Sequence, residues 1–222
     1  MKNHDLFLTE WKNNFSGNFN LDGPLTQSYF SSSLRLLFLL KETNGTKENI
    51  DIRESILNSL DNKKSKWSHG RSSVLRRVGL WSQGILNYGD NITYENARKK
   101  RLERLVFEKI AYINIMKSSG KNRTSDKKLS EFVKIHKTEI KQQIELLEPN
   151  IVICSGTFRV VKNHIFCSME KISDELFWAE GIFFIKSCHP AYFGEKEKVV
   201  YQRIIKNFEI YKQCVIEKIE IK

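Results

Sequence analysis

The apolar positions of this chain follow two rhythms. Four short segments are apolar at nearly every position: 34–40 within LRLLFLLK, 110–115 (IAYINI), 151–154 (IVIC) and 182–185 (IFFI). Each is bounded by polar or Gly-containing turns, so each reads as a strand buried on both faces. Between them the apolar residues step by three and four. Leu129, Val133, His136, Ile140, Ile144 and Leu147 share one helical face, with Ser125 as the N-cap and His136 as a core residue. Val200, Ile204, Phe208, Tyr211 and Val215 mark a last helix. Strands alternating with helices predict an α/β fold: a single domain over 1–222 with a four-stranded, mostly parallel sheet flanked by helices. A helical or loop extension occupies 1–33 and the C-terminal helix 196–222. The Asn/Lys-rich segments 58–66 and 117–128 read as loops.

In open parallel sheets, ligands bind outside the carboxyl ends of the strands. That rule selects Glu42, Thr43 and Asn44 after the first run, Asn114 and Lys117 after the second, Ser155 after the third and His189 after the fourth. An acid, a carboxamide and an imidazole are thereby expected at one crevice. Ser155, next to Gly156, reads as a cap for the following helix rather than a nucleophile, because no GxSxG surrounds it.

Charge narrows the choice of ligand. The 222 residues carry 37 Lys+Arg against 26 Asp+Glu, a formal charge of +11. The excess is local: residues 62–142 hold 20 basic and 7 acidic side chains, and the remainder 17 and 19. A basic middle of this kind attracts a polyanion such as a nucleic-acid backbone. A solvated Lys-rich face is the competing explanation of the same count. Cys154, Cys167, Cys188 and Cys214 form no CxxC pair and suggest neither a zinc site nor a disulfide framework, so they are expected to be reduced core thiols. Residues 1–30 contain no apolar run with a basic leader and cleavage site, and no stretch is long and apolar enough to span a bilayer. A cytoplasmic, monomeric protein without membrane contact is expected.

Three strings, taken in order, resemble the family-four, thermophile-type branch of the uracil-DNA glycosylase superfamily. KETNG at 41–45 stands where that family has Gly-Glu-Ala-Pro-Gly after its first strand, AYINIMKSSGKNRTS at 111–125 resembles its strand-terminal Asn and following loop, and CHPAYF at 188–193 resembles its His-Pro motif. IKQQIELLEPNIVICSGT at 140–157 and WSHGRSSVLRRVGLW at 67–81 add weaker likeness. Lys41 and Asn44 replace the family's Gly and Pro, and Ser118 stands where the family has an iron–sulfur ligand. Clusters of that type need thiolates, so no cluster, metal or other cofactor is expected.

The resemblance implies DNA as partner and a glycosylase that removes uracil or a modified pyrimidine, in repair or in defence against modified viral DNA. It implies Glu42, Asn44 and His189 as catalytic residues, with Glu42 stabilising the sugar cation or orienting water and His189 donating to a base carbonyl. Asn114, Thr43 and Ser155 would contact the extruded base, and Trp67, Tyr112 or Phe193 would stack on it. Arg71, Lys117, Lys121, Arg123 and Tyr192 would hold the DNA backbone. The residues themselves leave other roles open: Glu42 as an ion-pair partner of Lys41 or Arg71, Asn114 as a loop tie, and His189 as a buried histidine before a turn. A non-catalytic nucleic-acid-binding module on the same fold is the alternative. A metal-dependent nuclease is disfavoured by the shortage of acids.

Overall fold

The four apolar runs form the centre of a single sheet, because only a strand covered on both faces can bury every residue it contains. A computed structural model describes residues 1–43, 49–61, 72–90, 92–120 and 124–220, the last four as backbone only. In chain order the described elements are α1 (Lys2–Asn13), β1 (Gly23–Pro24), β2 (Leu36–Leu40), α2 (Ile52–Asp61), α3 (Ser73–Leu86), α4 (Tyr94–Lys100), α5 (Arg104–Phe107) and β3 (Ile110–Asn114). They continue with α6 (Asp126–Leu147), β4 (Ile151–Ser155), α7 (Phe158–His164), β5 (Glu170–Lys171), β6 (Leu176–Ala179), β7 (Ile182–Ser187) and α8 (Glu197–Glu220).

The sheet order is β1-β3-β2-β4-β7-β6-β5. Strands β3, β2, β4 and β7 are parallel and coincide with the four runs. The expected four-stranded sheet is nevertheless corrected to a mixed one of seven, since β1, β6 and β5 join antiparallel. β1 and β5 are two residues long, too short to show a period. β6 pairs with β7 through Glu180-Gly181, both at positive φ (51° and 85°), the mirror-image turn that matches the twist of a hairpin.

Alternation along β2 divides the core. Leu36, Phe38 and Leu40 pack with Ile52, Leu75, Trp81, Val200 and Phe208, on the side of α2, α3 and α8. Leu37 and Leu39 pack with Leu8, Trp11, Val133, Ile144 and Val160, on the side of α1, α6 and α7. Each such side chain contributes roughly 1.5–3 kcal/mol on burial. Ser125 caps α6 as expected, its Oγ accepting from Lys128 N at 3.2 Å. The loop reading of 58–66 and 117–128 is corrected at both ends: residues 58–61 close α2 and 126–128 open α6, while 62–66 and 121–123 lie outside the described residues. Of the cysteines only Cys154 is a buried core thiol; Cys167 is exposed and the other two are half-buried. Among the described residues no helix is long and apolar enough to cross a membrane.

A candidate active site at the carboxyl ends of the strands

Crevices open where the chain leaves neighbouring strands toward opposite faces. From β2 it passes to α2 and α3 on one face; from β3 it passes to α6 on the other and returns as β4 on the far side of β2. Opposite directions on opposite faces are what crossovers of one hand require. The end of β2 therefore lies between two diverging connections.

Leu40 is in register with Asn114, and the ladder continues beyond the strands, with Ile115 N donating to Leu40 O, Met116 N to Lys41 O and Gly120 N to Thr43 O, each at 2.9 Å. The segments after β2 and β3 thus run side by side. Asn114 Nδ2 donates to Thr43 Oγ1 at 3.0 Å, and Thr124 N donates to Glu42 Oε1 at 3.1 Å. Glu42 Oε2 and Asn114 Oδ1 are both buried and without a hydrogen-bond partner among the described residues. Burying an unpaired acceptor costs about 1–3 kcal/mol. Glu42 follows β2 and Asn114 ends β3, so the two acceptors stand at neighbouring strand ends, where hydrogen-bond donors of a ligand would satisfy them.

Beneath them lies an arrangement that residue patterns did not suggest. Lys117 donates to Asp22 Oδ1 and Oδ2 at 2.8 and 2.9 Å and to Asn114 O at 2.9 Å, which uses all three ammonium protons. Asp22 also accepts from Asn114 N at 2.8 Å and from Gln143 Nε2 at 2.9 Å, filling its four lone-pair positions. Both side chains are fully buried. Burial lowers the Lys117 ammonium from its ordinary pKa, and the Asp22 carboxylate opposes that shift. Lys117 is accordingly corrected from a surface phosphate contact to an internal strut that fixes the Asn114 backbone. Asp22 escaped sequence reasoning because an acid before Gly23-Pro24 reads as a turn residue.

On the other side of β2, His189 follows β7 and folds back over Gly156. Gly156 has φ +74°, and a Cβ placed there would stand 3.1 Å from the His189 Cβ. Ala191 N donates to His189 Nδ1 at 3.1 Å. A neutral imidazole that accepts at Nδ1 carries its proton on Nε2. Burial, and then the positive charge of Lys41, lower the His189 pKa from 6.5 to about 4, so the ring is neutral at ordinary pH and Nε2–H is a donor. Lys41 is itself paired with Asp126 at 2.8 Å. The alternative pairing of Lys41 with Glu42 is therefore not the one formed.

The remaining candidates divide. Ser155 ends β4, fully buried, with its Oγ 3.4 Å from Ile153 O. It does not cap α7: Thr157 holds that position, and its Oγ1 donates to Leu39 O at 2.9 Å instead. Tyr112 is a core side chain packed with Phe38 and Trp81 two residues below the strand end, not a platform at the rim. Tyr192 and Phe193 are exposed, at 52% and 72%. Arg77 of α3, another residue without a sequence signal, donates to Tyr192 O and lies 5.4 Å from the Phe193 ring centroid. His136 is half-buried beside Phe15 and Phe132 at a kink in α6 rather than fully in the core. Asn44, Trp67, Arg71, Lys121 and Arg123 lie outside the described residues.

Chemically, the carboxyl end of the sheet offers a buried carboxylate oxygen after β2, a carboxamide oxygen at the end of β3 and, beyond β4, a neutral imidazole N–H after β7. Among the described residues no group of three or more His, Cys, Asp or Glu side chains is placed to hold a metal ion. No protein-family model and no curated protein sequence matches the chain.

Proposed function

We propose that the chain is a monofunctional DNA glycosylase of the uracil-DNA glycosylase superfamily, hydrolysing the N-glycosidic bond of uracil or a modified pyrimidine turned out of DNA. What supports this reading is that two buried acceptors without a partner among the described residues, Glu42 Oε2 and Asn114 Oδ1, and the Nε2–H of a neutral His189 all stand at or follow the carboxyl ends of strands in the same sheet. Breaking a base–sugar bond builds positive charge on the sugar and negative charge on the departing base. A carboxylate serves the first, orienting water toward C1′. A neutral imidazole donor serves the second, and one such donor lowers a barrier by about 3–4 kcal/mol. Asn114 Oδ1 accepts from an N–H on the pyrimidine edge, while its Nδ2 is anchored by Thr43. Phe193, exposed in the loop that follows His189, is the aromatic disposed to stack on neighbouring bases.

The competing reading is a nucleic-acid-binding module without catalysis. It is favoured by the hydrogen bond from Thr124 N to Glu42 Oε1, which gives one oxygen of that carboxylate a structural task. The deciding experiment incubates the protein, with chelator present, with oligonucleotides carrying uracil or modified pyrimidines and with hypermodified phage DNA, followed by hot alkali. Strand breaks at one class of base, abolished by Glu42→Gln, are expected. DNA binding with no alkali-labile product from any substrate would leave the binding module as the correct reading.

A further inference from the structure

A second recess opens at the same end of the sheet, beside α7. It encloses about 420 Å³ and is lined by Gly156, by Arg159 and Lys162 of α7, and by Lys186 and Ser187 of β7. No Asp or Glu is among its lining residues. Arg159 and Lys186 are exposed, and Lys162 Nζ is held 5.1 Å from the centroid of the Phe177 ring. The acids that face Lys186 are Asp174 and Glu175, and each is engaged elsewhere: Asp174 with Lys171 at 2.8 Å, Glu175 with Arg203 at 3.1 Å. Three cations around one small concavity repel each other unless an anion sits between them.

We propose that this recess binds a phosphodiester group of the DNA strand next to the nucleotide held at the Glu42–Asn114–His189 edge, an inference that rests on the nucleic-acid reading of that edge. Gly156 joins the two places, for it lines the recess while its own backbone backs onto His189. A strand crossing the end of the sheet would lay one phosphate against Arg159 and Lys186 as the neighbouring nucleotide enters beside His189. Arg159 supplies a planar fork suited to two phosphate oxygens, and Lys186 and Lys162 supply point charges. None of the three reads a base, so the recess positions the strand without selecting sequence.

The test uses the whole chain and a short duplex bearing one stable abasic analogue, with binding followed by fluorescence anisotropy over a range of salt. Arg159→Gln/Lys186→Gln removes two exposed charges. Lys137→Gln/Lys212→Gln removes two from exposed positions on α6 and α8 and serves as the charge-matched control. The recess variant is expected to bind more weakly, with a log K against log salt slope shallower by about 0.9 for each phosphate charge left unneutralised. The control should keep the wild-type slope. An unchanged slope in the recess variant, or an equal loss in the control, overturns the proposal. Inorganic phosphate at matched ionic strength should not displace the duplex; displacement would overturn the phosphodiester assignment in favour of a free-phosphate site. Excision is scored separately. A slope difference without abasic product defeats the glycosylase reading and leaves the phosphodiester site standing, and excision with unchanged slopes does the reverse.

Discussion

Ala191 N–H donates to His189 Nδ1 across 3.1 Å, and that hydrogen bond decides which ring nitrogen carries the proton. With Nε2 as the donor, His189→Ala should lower the excision rate constant by about 10²–10³-fold, as removal of a single oxyanion donor does. The melting temperature should hold or rise, because a poorly solvated imidazole is removed. Single-turnover kinetics at saturating enzyme, paired with thermal melts, check both halves; equal rates in the two proteins would remove His189 from the mechanism.

Acid should destabilise the fold through two histidines. Burial lowers both His4 and His189 from 6.5 to about 4. The unfolded chain takes up their protons as pH falls through 6.5, whereas the folded chain does so only near 4. Their contribution to stability is therefore complete above 6.5 and lost progressively between 6.5 and 4. At 1.36 kcal/mol per pKa unit the full loss is on the order of 7 kcal/mol for the pair. Denaturant midpoints measured from pH ~7 to ~4.5 should fall accordingly, and His189→Gln should remove about half of the slope. A flat profile contradicts the burial of both rings.

The Asp22–Lys117 pair should dominate the stability of this end of the sheet. Removing one partner leaves a buried charge uncompensated, which costs about 3–5 kcal/mol. At about 2–4 °C per kcal/mol for a chain of this size, Lys117→Met should melt roughly 10 °C lower. Asp22→Ala should be worse, because Lys117, Asn114 N and Gln143 would all lose their acceptor together. Near-wild-type melting of Asp22→Ala would show that the network is not a structural strut.

Thr43 should govern selectivity without doing chemistry. Its Oγ1 holds the Asn114 amide at 3.0 Å, so Thr43→Val leaves that amide free to turn over. A hydrogen bond of this kind is worth about 1 kcal/mol, so the kcat/KM ratio between preferred and rejected pyrimidines should shrink by about fivefold. Competition assays with two labelled oligonucleotides measure it, and an unaltered ratio would assign Thr43 a role in the loop alone.

The parts of the fold visible in the sequence are those whose residues answer to a local rule. Leu36–Leu40 and Ile151–Ser155 can be recognised because continuous burial leaves a continuous apolar run, and α6 because its buried residues recur on one face behind the Ser125 cap. The strand-end rule picks out Glu42, Asn114 and His189 from their positions in the chain. Two-residue strands such as Gly23–Pro24 leave no period to read, and LFWA at 176–179 reads as a strand only once its hairpin turn is seen. Lys117 misleads for a related reason: a lysine in a basic, Gly-containing segment resembles a surface cation, and only its distant partner shows otherwise.

The chain alone therefore determined the α/β alternation, the four parallel strands and which polar residues close them, since hydrophobic burial and capping act over a few neighbouring positions. Tertiary structure decided the rest: the antiparallel edges, the internal pairing of Lys117 with Asp22, the protonated nitrogen of His189 and the basic recess beside Gly156. Each depends on groups far apart in sequence, and their charge and hydrogen-bond state is set by what packs against them rather than by what precedes them in the chain.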